Sequence, residues 1–180
     1  MAAAPLSRLT LVLGGARSGK SAYAEGLVRP CAPPWTYLAT AQAFDDEMRA
    51  RIDQHRGRRD ARWQTIEAPL ELAEAISSPG LPRPLLIDCL TLWLSNALLA
   101  GADLTTASDR LIDALAAAKG PIVAVSNEVG LGIVPASPVA REYRDLLGAV
   151  NAAFVRRAED AAFVVSGCAI PLQPGWRPRA

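Results

Sequence analysis

Histidine and lysine are nearly missing from this 180-residue chain. It holds one histidine, His55, and two lysines, Lys20 and Lys119, against 17 arginines. Cysteine is scarce as well. Cys31, Cys89 and Cys168 are scattered and form no C-x-x-C pair, which excludes a disulfide framework. With a single histidine they also exclude a Cys/His zinc site. A reduced, cytoplasmic protein is the expectation. Neither sign of charge is in excess: 19 basic and 18 acidic side chains leave a formal +1. That excludes a strongly basic nucleic-acid clamp and an acidic tail, so no nucleic-acid partner is expected. A long hydrophobic run is missing too. The stretch 85–102 is interrupted by Asp88, Ser95 and Asn96, whereas a membrane span needs about 20 mostly apolar residues. The apolar run 9–13 behind Arg8 is too short for a signal-peptide core. No membrane span and no cleaved leader are expected.

What is present is the composition of a folded domain. Apolar residues make up 51% and charged residues 21%, ordinary globular values. Short apolar runs alternate with helical patterns. Strands are expected at 9–13, 35–39, 63–66, 85–88, 121–126 and 162–166. Helices are expected at 20–28, 43–59, 69–77 and 91–99, from an N-cap at Ser108 to Lys119, and from 139 to 159. Gly101–Thr106 reads as a loop. Strand–helix alternation predicts one α/β domain, a sheet with helices on both faces. Its expected bounds are 9–170, between an N-terminal extension, 1–8, and a flexible tail, 171–180.

Residues Gly14-Gly15-Ala16-Arg17-Ser18-Gly19-Lys20-Ser21 fit the phosphate-loop pattern G-x-x-x-x-G-K-[ST] at every fixed position. The pattern lies between an expected strand and an expected helix. Glycines let backbone amides approach phosphate oxygens, and the helix N-terminus favours the anion. Lys20 is then expected on the β- and γ-phosphates, with the Ser21 hydroxyl on Mg²⁺. A chain that otherwise uses arginine keeps lysine where a compact charge is needed. Asp88 ends the apolar run 85–87, where a carboxylate beside a phosphate loop supports Mg²⁺. The alternative for Asp88 is a cap on the helix that follows.

On a helix, Met48, Ile52, His55 and Arg59 share one face. Arg51, Arg56, Arg58 and Arg59 lie within four residues of His55, and Gly57 suggests a loop that wraps a ligand. An unprotonated imidazole is a nucleophile, and arginines hold polyphosphate. The plain alternative is a half-buried histidine at a solvated helix end. Thr40-Ala41-Gln42 and Asn127-Glu128 each follow a strand end, so both are expected at the phosphate-loop edge of the sheet. The Glu128 carboxylate is a candidate general base, or part of a turn. Arg141, Tyr143, Arg144, Asp145 and Asn151 sit on the last long helix, with Arg144 or Asn151 candidates to face a ligand or a subunit.

The segments GGARSGKS (14–21), LATAQAFDDEM (38–48), RIDQHR (51–56), LLIDCLTLWLSN (85–96), SNEVGLGIVP (126–135) and REYRDLLGAVN (141–151) occur in order. Together they resemble the bifunctional adenosylcobinamide kinase / adenosylcobinamide-phosphate guanylyltransferase family of cobalamin biosynthesis. The resemblance implies a RecA-like P-loop fold, usually a homotrimer. It implies phosphorylation of adenosylcobinamide with ATP or GTP. GMP is then transferred from GTP to adenosylcobinamide phosphate through a guanylyl-histidine, giving adenosylcobinamide-GDP and pyrophosphate. His55 matches that histidine. Nucleotide contacts carry over to Gly14, Gly15, Ala16, Arg17, Ser18, Gly19, Lys20 and Ser21. They carry over likewise to Thr40, Ala41, Gln42, Arg56, Gly57, Arg58, Arg59, Glu67 and Asp88. A monofunctional P-loop kinase of a small metabolite is the competing reading, and a regulatory P-loop protein a more distant one. A guanine-reading N-K-x-D motif is absent from the sequence, which argues against a GTPase switch.

Overall fold

The computed structural model describes residues 5–43, 45–57 and 59–173. Among them, seven strands form one sheet in the order β3-β2-β4-β5-β1-β6-β7. These are β1 (Leu9–Gly14), β2 (Trp35–Ala39), β3 (Trp63–Glu67), β4 (Leu85–Asp88), β5 (Ile122–Asn127), β6 (Asp160–Val165) and β7 (Cys168–Leu172). The first six run parallel and β7 returns antiparallel to β6. The helices are α1 (Lys20–Val28), α2 (Asp46–Gly57), α3 (Leu72–Ser77), α4 (Leu90–Leu99), α5 (Leu104–Ala117) and α6 (Pro138–Val155).

Both faces of the sheet are covered, so its strands read as continuous apolar runs. Leu9, Leu11 and Leu13 of β1 point into a core shared with α3 to α6, where Leu72, Leu94, Leu111 and Phe154 are buried. Val12 points the other way, into a second core with Ala24 and Val28 of α1, and with Trp35 and Tyr37 of β2. Helix α2 supplies no buried residue to either core among the described residues. It lies over the sheet edge with Met48, Ile52 and His55 half-buried.

The expected elements are found, with several shifted bounds. Helix α5 starts four residues before the expected Ser108 cap. Asp103 is the cap, accepting from the amides of Thr105 and Thr106 at 3.1 and 3.2 Å. Ser108 is buried within the helix and its hydroxyl donates back to the Leu104 carbonyl at 2.7 Å. Helix α3 starts at Leu72 rather than Pro69, because α4 side chains take the preceding carbonyls. Trp93 Nε1 donates to Leu70 O at 2.9 Å and Asn96 Nδ2 to Pro69 O at 3.1 Å. Helix α6 ends at Val155 because the chain must enter β6, and the Glu159 amide already donates to Leu9 O at 2.9 Å. Strand β7 was not expected. Ser166 (φ 50°) and Gly167 (φ 79°) make the two-residue hairpin turn that leads into it. Pro171 and Leu172, expected in the tail, belong to this edge strand; the tail residues 174–180 and the first four residues lie outside the described residues.

Register brings the functional edge together. Gly14 lies opposite Asn127, and Ala39 lies opposite both Asp88 and Glu67. All are at the carboxyl ends of parallel strands, where open α/β sheets bind ligands.

Candidate active site

The phosphate loop runs from β1 into α1. Gly14 is fixed by space: a Cβ there would lie 2.5 Å from Val164 O and 2.6 Å from Ser18 Oγ. Gly19 is fixed by conformation, with φ 96°. Arg17 also has positive φ, at 56°. Helix α1 has no side-chain cap, so its N-terminal amides stay open to an anion. Lys20 Nζ donates to Gly15 O at 3.2 Å, within the loop it serves. The Gly167 amide of the β6–β7 turn donates to Ser18 O at 2.9 Å and props the loop from outside the motif. That contact depends on the hairpin the sequence reading lacked; the Ser-Gly pair at 166–167 was its signal.

Beside the loop lies a cleft of about 560 Å³. Lys20, Ser21, Ala41, Gln42, His55 and Asp88 line it. Met48, Ile52 and Arg59 line it as well, so the α2 face expected from helical spacing does turn toward the phosphate loop. Thr40 does not reach the cleft. It is fully buried, its hydroxyl donating to Cys89 O at 2.7 Å and accepting from Cys89 N at 2.8 Å. Its carbonyl takes the Asn96 amide at 2.7 Å. Thr40 thus ties β2 to the start of α4.

Asp88 is not a helix cap, since α4 has no side-chain cap at all. Its Oδ2 accepts from the Tyr37 hydroxyl at 2.8 Å and faces His55 Nδ1 at 4.0 Å. His55 Nδ1 and Arg59 Nη1 are buried without hydrogen-bond partners. The Arg59 guanidinium lies 3.8 Å from the centre of the Tyr37 ring. Burial, with the Asp88 charge behind it, holds the Tyr37 phenol above its usual range. The phenol therefore stays a donor. Tyr37 is a residue that sequence reasoning missed; its place inside an apolar strand hid it.

Arg56 of α2 pairs with Glu67 at the end of β3, and both line the cleft. Arg58 and the side chain of Arg51 lie outside the described residues. The Glu128 carboxylate folds onto its own loop, accepting from the Gly130 amide at 2.6 Å, and does not line the cleft. Asn127 does line it, and its Oδ1 is buried without a partner. Asn151 donates to Asn127 O at 3.0 Å and so ties α6 to that strand end. Tyr143 donates to Thr91 O at 2.8 Å, while Arg144 pairs with Asp145. Cys89 also borders the cleft, but burial pushes its thiol up to about 11, which makes it a poor nucleophile.

Ser21 and Asp88 present oxygen donors to one cleft beside the loop. That is the set Mg²⁺ prefers when it is held by one or two protein oxygens and substrate phosphates. Among the described residues no group of three or more His, Cys, Asp or Glu side chains could hold a metal by itself. No described helix is long and apolar enough to cross a membrane.

The family model described as cobinamide kinase / cobinamide phosphate guanyltransferase matches residues 10–172. The bifunctional adenosylcobalamin biosynthesis protein CobP of Pseudomonas aeruginosa is 46% identical over 166 residues, covering 91% of this chain and 96% of that protein. The bifunctional adenosylcobalamin biosynthesis protein CobU of Salmonella typhimurium is 39% identical over 181 residues, covering 92% and 99%. Among solved structures, the flagellar accessory protein FlaH from Methanocaldococcus jannaschii aligns with TM-score 0.53 at 12% identity, over 93% of this chain and 79% of that one. The RadB recombinase aligns with TM-score 0.51 at 17% identity, over 88% and 74%. At such identities these two speak for the fold alone.

Proposed function

Because the chain belongs to the cobinamide kinase / cobinamide phosphate guanyltransferase family, we propose that one cleft serves both reactions and that His55 is the residue that carries GMP. The observation behind this is the meeting of the only histidine with the phosphate-loop residues Lys20 and Ser21 and the carboxylate of Asp88 in that cleft. In the kinase step the aminopropanol hydroxyl of adenosylcobinamide attacks the γ-phosphorus of ATP or GTP; a new P–O bond forms as the hydroxyl gives up its proton, the bond to the β-phosphate breaks, and ADP or GDP leaves. Lys20 and the α1 N-terminus hold the phosphates, and catalysis is mainly positioning and charge stabilisation. Mg²⁺ would be held by Ser21 and Asp88 and would supply countercharge to the phosphate oxygens.

In the transferase step an imidazole nitrogen attacks the α-phosphorus of GTP. A P–N bond forms, a P–O bond breaks and pyrophosphate leaves. The phosphate of adenosylcobinamide phosphate then displaces His55 and takes the GMP. His55 Nδ1 is buried toward Asp88, so Nε2 is the nitrogen left for attack. Arg56, Arg58, Arg59 and Glu67 contribute to the nucleotide site, with Gly57 the last residue of α2 rather than part of a wrapping loop. The two reactions use different phosphorus atoms. Helix α2, whose described residues enter neither core, is the element to shift between them. The working form is a cytoplasmic homotrimer.

The test is intact-mass analysis after incubation with GTP, followed by peptide mapping. The reading expects one added GMP on the peptide holding His55, labile to acid and stable to alkali. A plain kinase would retain no GMP, and GMP on serine or threonine would remove His55 from its role.

A further inference from the structure

Tyr37 lines the cleft and touches two of its charged groups. Its hydroxyl donates to Asp88 Oδ2 at 2.8 Å, and its ring face carries the Arg59 guanidinium at 3.8 Å. The ring is itself held from behind, edge-on to Trp63 at 6.0 Å, with Trp63 set against Trp35 at 5.0 Å. Tyr37 is 4% exposed and its strand, β2, is hydrogen-bonded on both sides. It is therefore a rigid support. Asp88 and Arg59, by contrast, each have freedom that needs restraint. Asp88 sits at a strand end, where a carboxylate can rotate. Arg59 lies in the loop after α2, and its Nη1 has no hydrogen-bond partner, so the ring face is what orients it.

We propose that Tyr37 is a positioning residue for both reactions. Its hydroxyl fixes the carboxylate of Asp88 for the metal-dependent step, and its ring face fixes Arg59 against the nucleotide phosphates. The proposal rests on the functional reading above for what Asp88 and Arg59 hold. It adds that one buried side chain sets the geometry of both, through two separable interactions. A hydrogen bond to a charged group and a cation–π contact are each strong enough to be read as affinity changes.

The test separates the two arms. Tyr37→Phe removes the hydroxyl and keeps the ring. It is expected to raise the Mg²⁺ concentration for half-maximal kinase activity roughly tenfold, while GTP affinity measured in chelator stays at the wild-type value. Pentafluorophenylalanine introduced at position 37 keeps the shape but reverses the polarity of the ring face. It is expected to weaken metal-free GTP binding as well, by roughly three- to tenfold, and to slow GMP loading of His55. Equilibrium binding in chelator is a readout independent of turnover, and a melting curve for each variant shows whether it is folded. A merely structural tyrosine would lower stability and both activities together, without this split. A folded Tyr37→Phe with an unchanged Mg²⁺ requirement overturns the hydroxyl arm. Unchanged metal-free GTP affinity in the fluorinated protein overturns the ring arm. The wild-type protein is run beside them: if it shows neither Mg²⁺-dependent phosphorylation nor a GMP adduct, the functional reading fails instead.

Discussion

Single side chains in the cleft are proposed to have separable tasks. Lys20 sits at the loop-to-helix junction and lines the cleft, with its ammonium returned to the loop carbonyl of Gly15. Its removal should spare the fold and cripple phosphate handling. Lys20→Ala is expected to lower kinase kcat/KM by on the order of a hundredfold or more while its melting temperature stays near that of the wild type; steady-state kinetics beside a thermal melt check this. Asp88 accepts from Tyr37 and faces His55 instead of capping α4. Asp88→Asn should therefore weaken Mg²⁺-dependent turnover far more than nucleotide binding measured in chelator. Equal losses with and without metal would return Asp88 to a structural role. At the residue scale the motif at 14–21 was legible as the loop between β1 and α1. The sequence could not show Thr40 turned inward to Cys89, nor Tyr37 under Arg59, because both depend on strand pairing and on which way a side chain leaves the sheet.

At the scale of elements, strands and the helices flanking the phosphate loop were legible because their apolar runs are short, dense and bounded by glycine or proline. Helix α1 and strands β2 and β4 have the expected bounds. Errors arose where local polar chemistry competes with helical pattern. Asp103-Leu104-Thr105-Thr106 looks like a loop, since aspartate and threonine favour turns. In the fold the aspartate is the cap and the threonines are its first turn. Asp103→Ala is expected to lower stability through loss of the cap, read as a lower urea midpoint with an unchanged m-value. Kinase activity of the folded protein should be unaffected, because α5 lines no part of the cleft. Strand β7 escaped because a five-residue edge strand containing proline carries little pattern of its own. Only its Ser-Gly turn announces it, and that turn is what touches the phosphate loop.

For the whole molecule, one sheet edge gathers residues from five strands and from α2; in the proposed reading the two reactions share nucleotide contacts there and differ in which phosphorus is presented. The trimer proposed for the working form predicts a light-scattering mass of three times 19.0 kDa, and a monomer at micromolar concentration would remove it. The central claim is a division of labour within the cleft, and replacing His55 addresses it directly. His55→Asn removes the only nucleophilic imidazole of the chain while leaving Lys20, Ser21 and Asp88 in place. Phosphorylation of cobinamide and guanylylation are to be measured on the same folded, nucleotide-binding preparation. The account predicts no covalent GMP, a loss of transferase by several powers of ten, and kinase turnover within a few-fold of the wild type. A variant that still carries GMP, or one that loses both activities while still binding nucleotide, would contradict it.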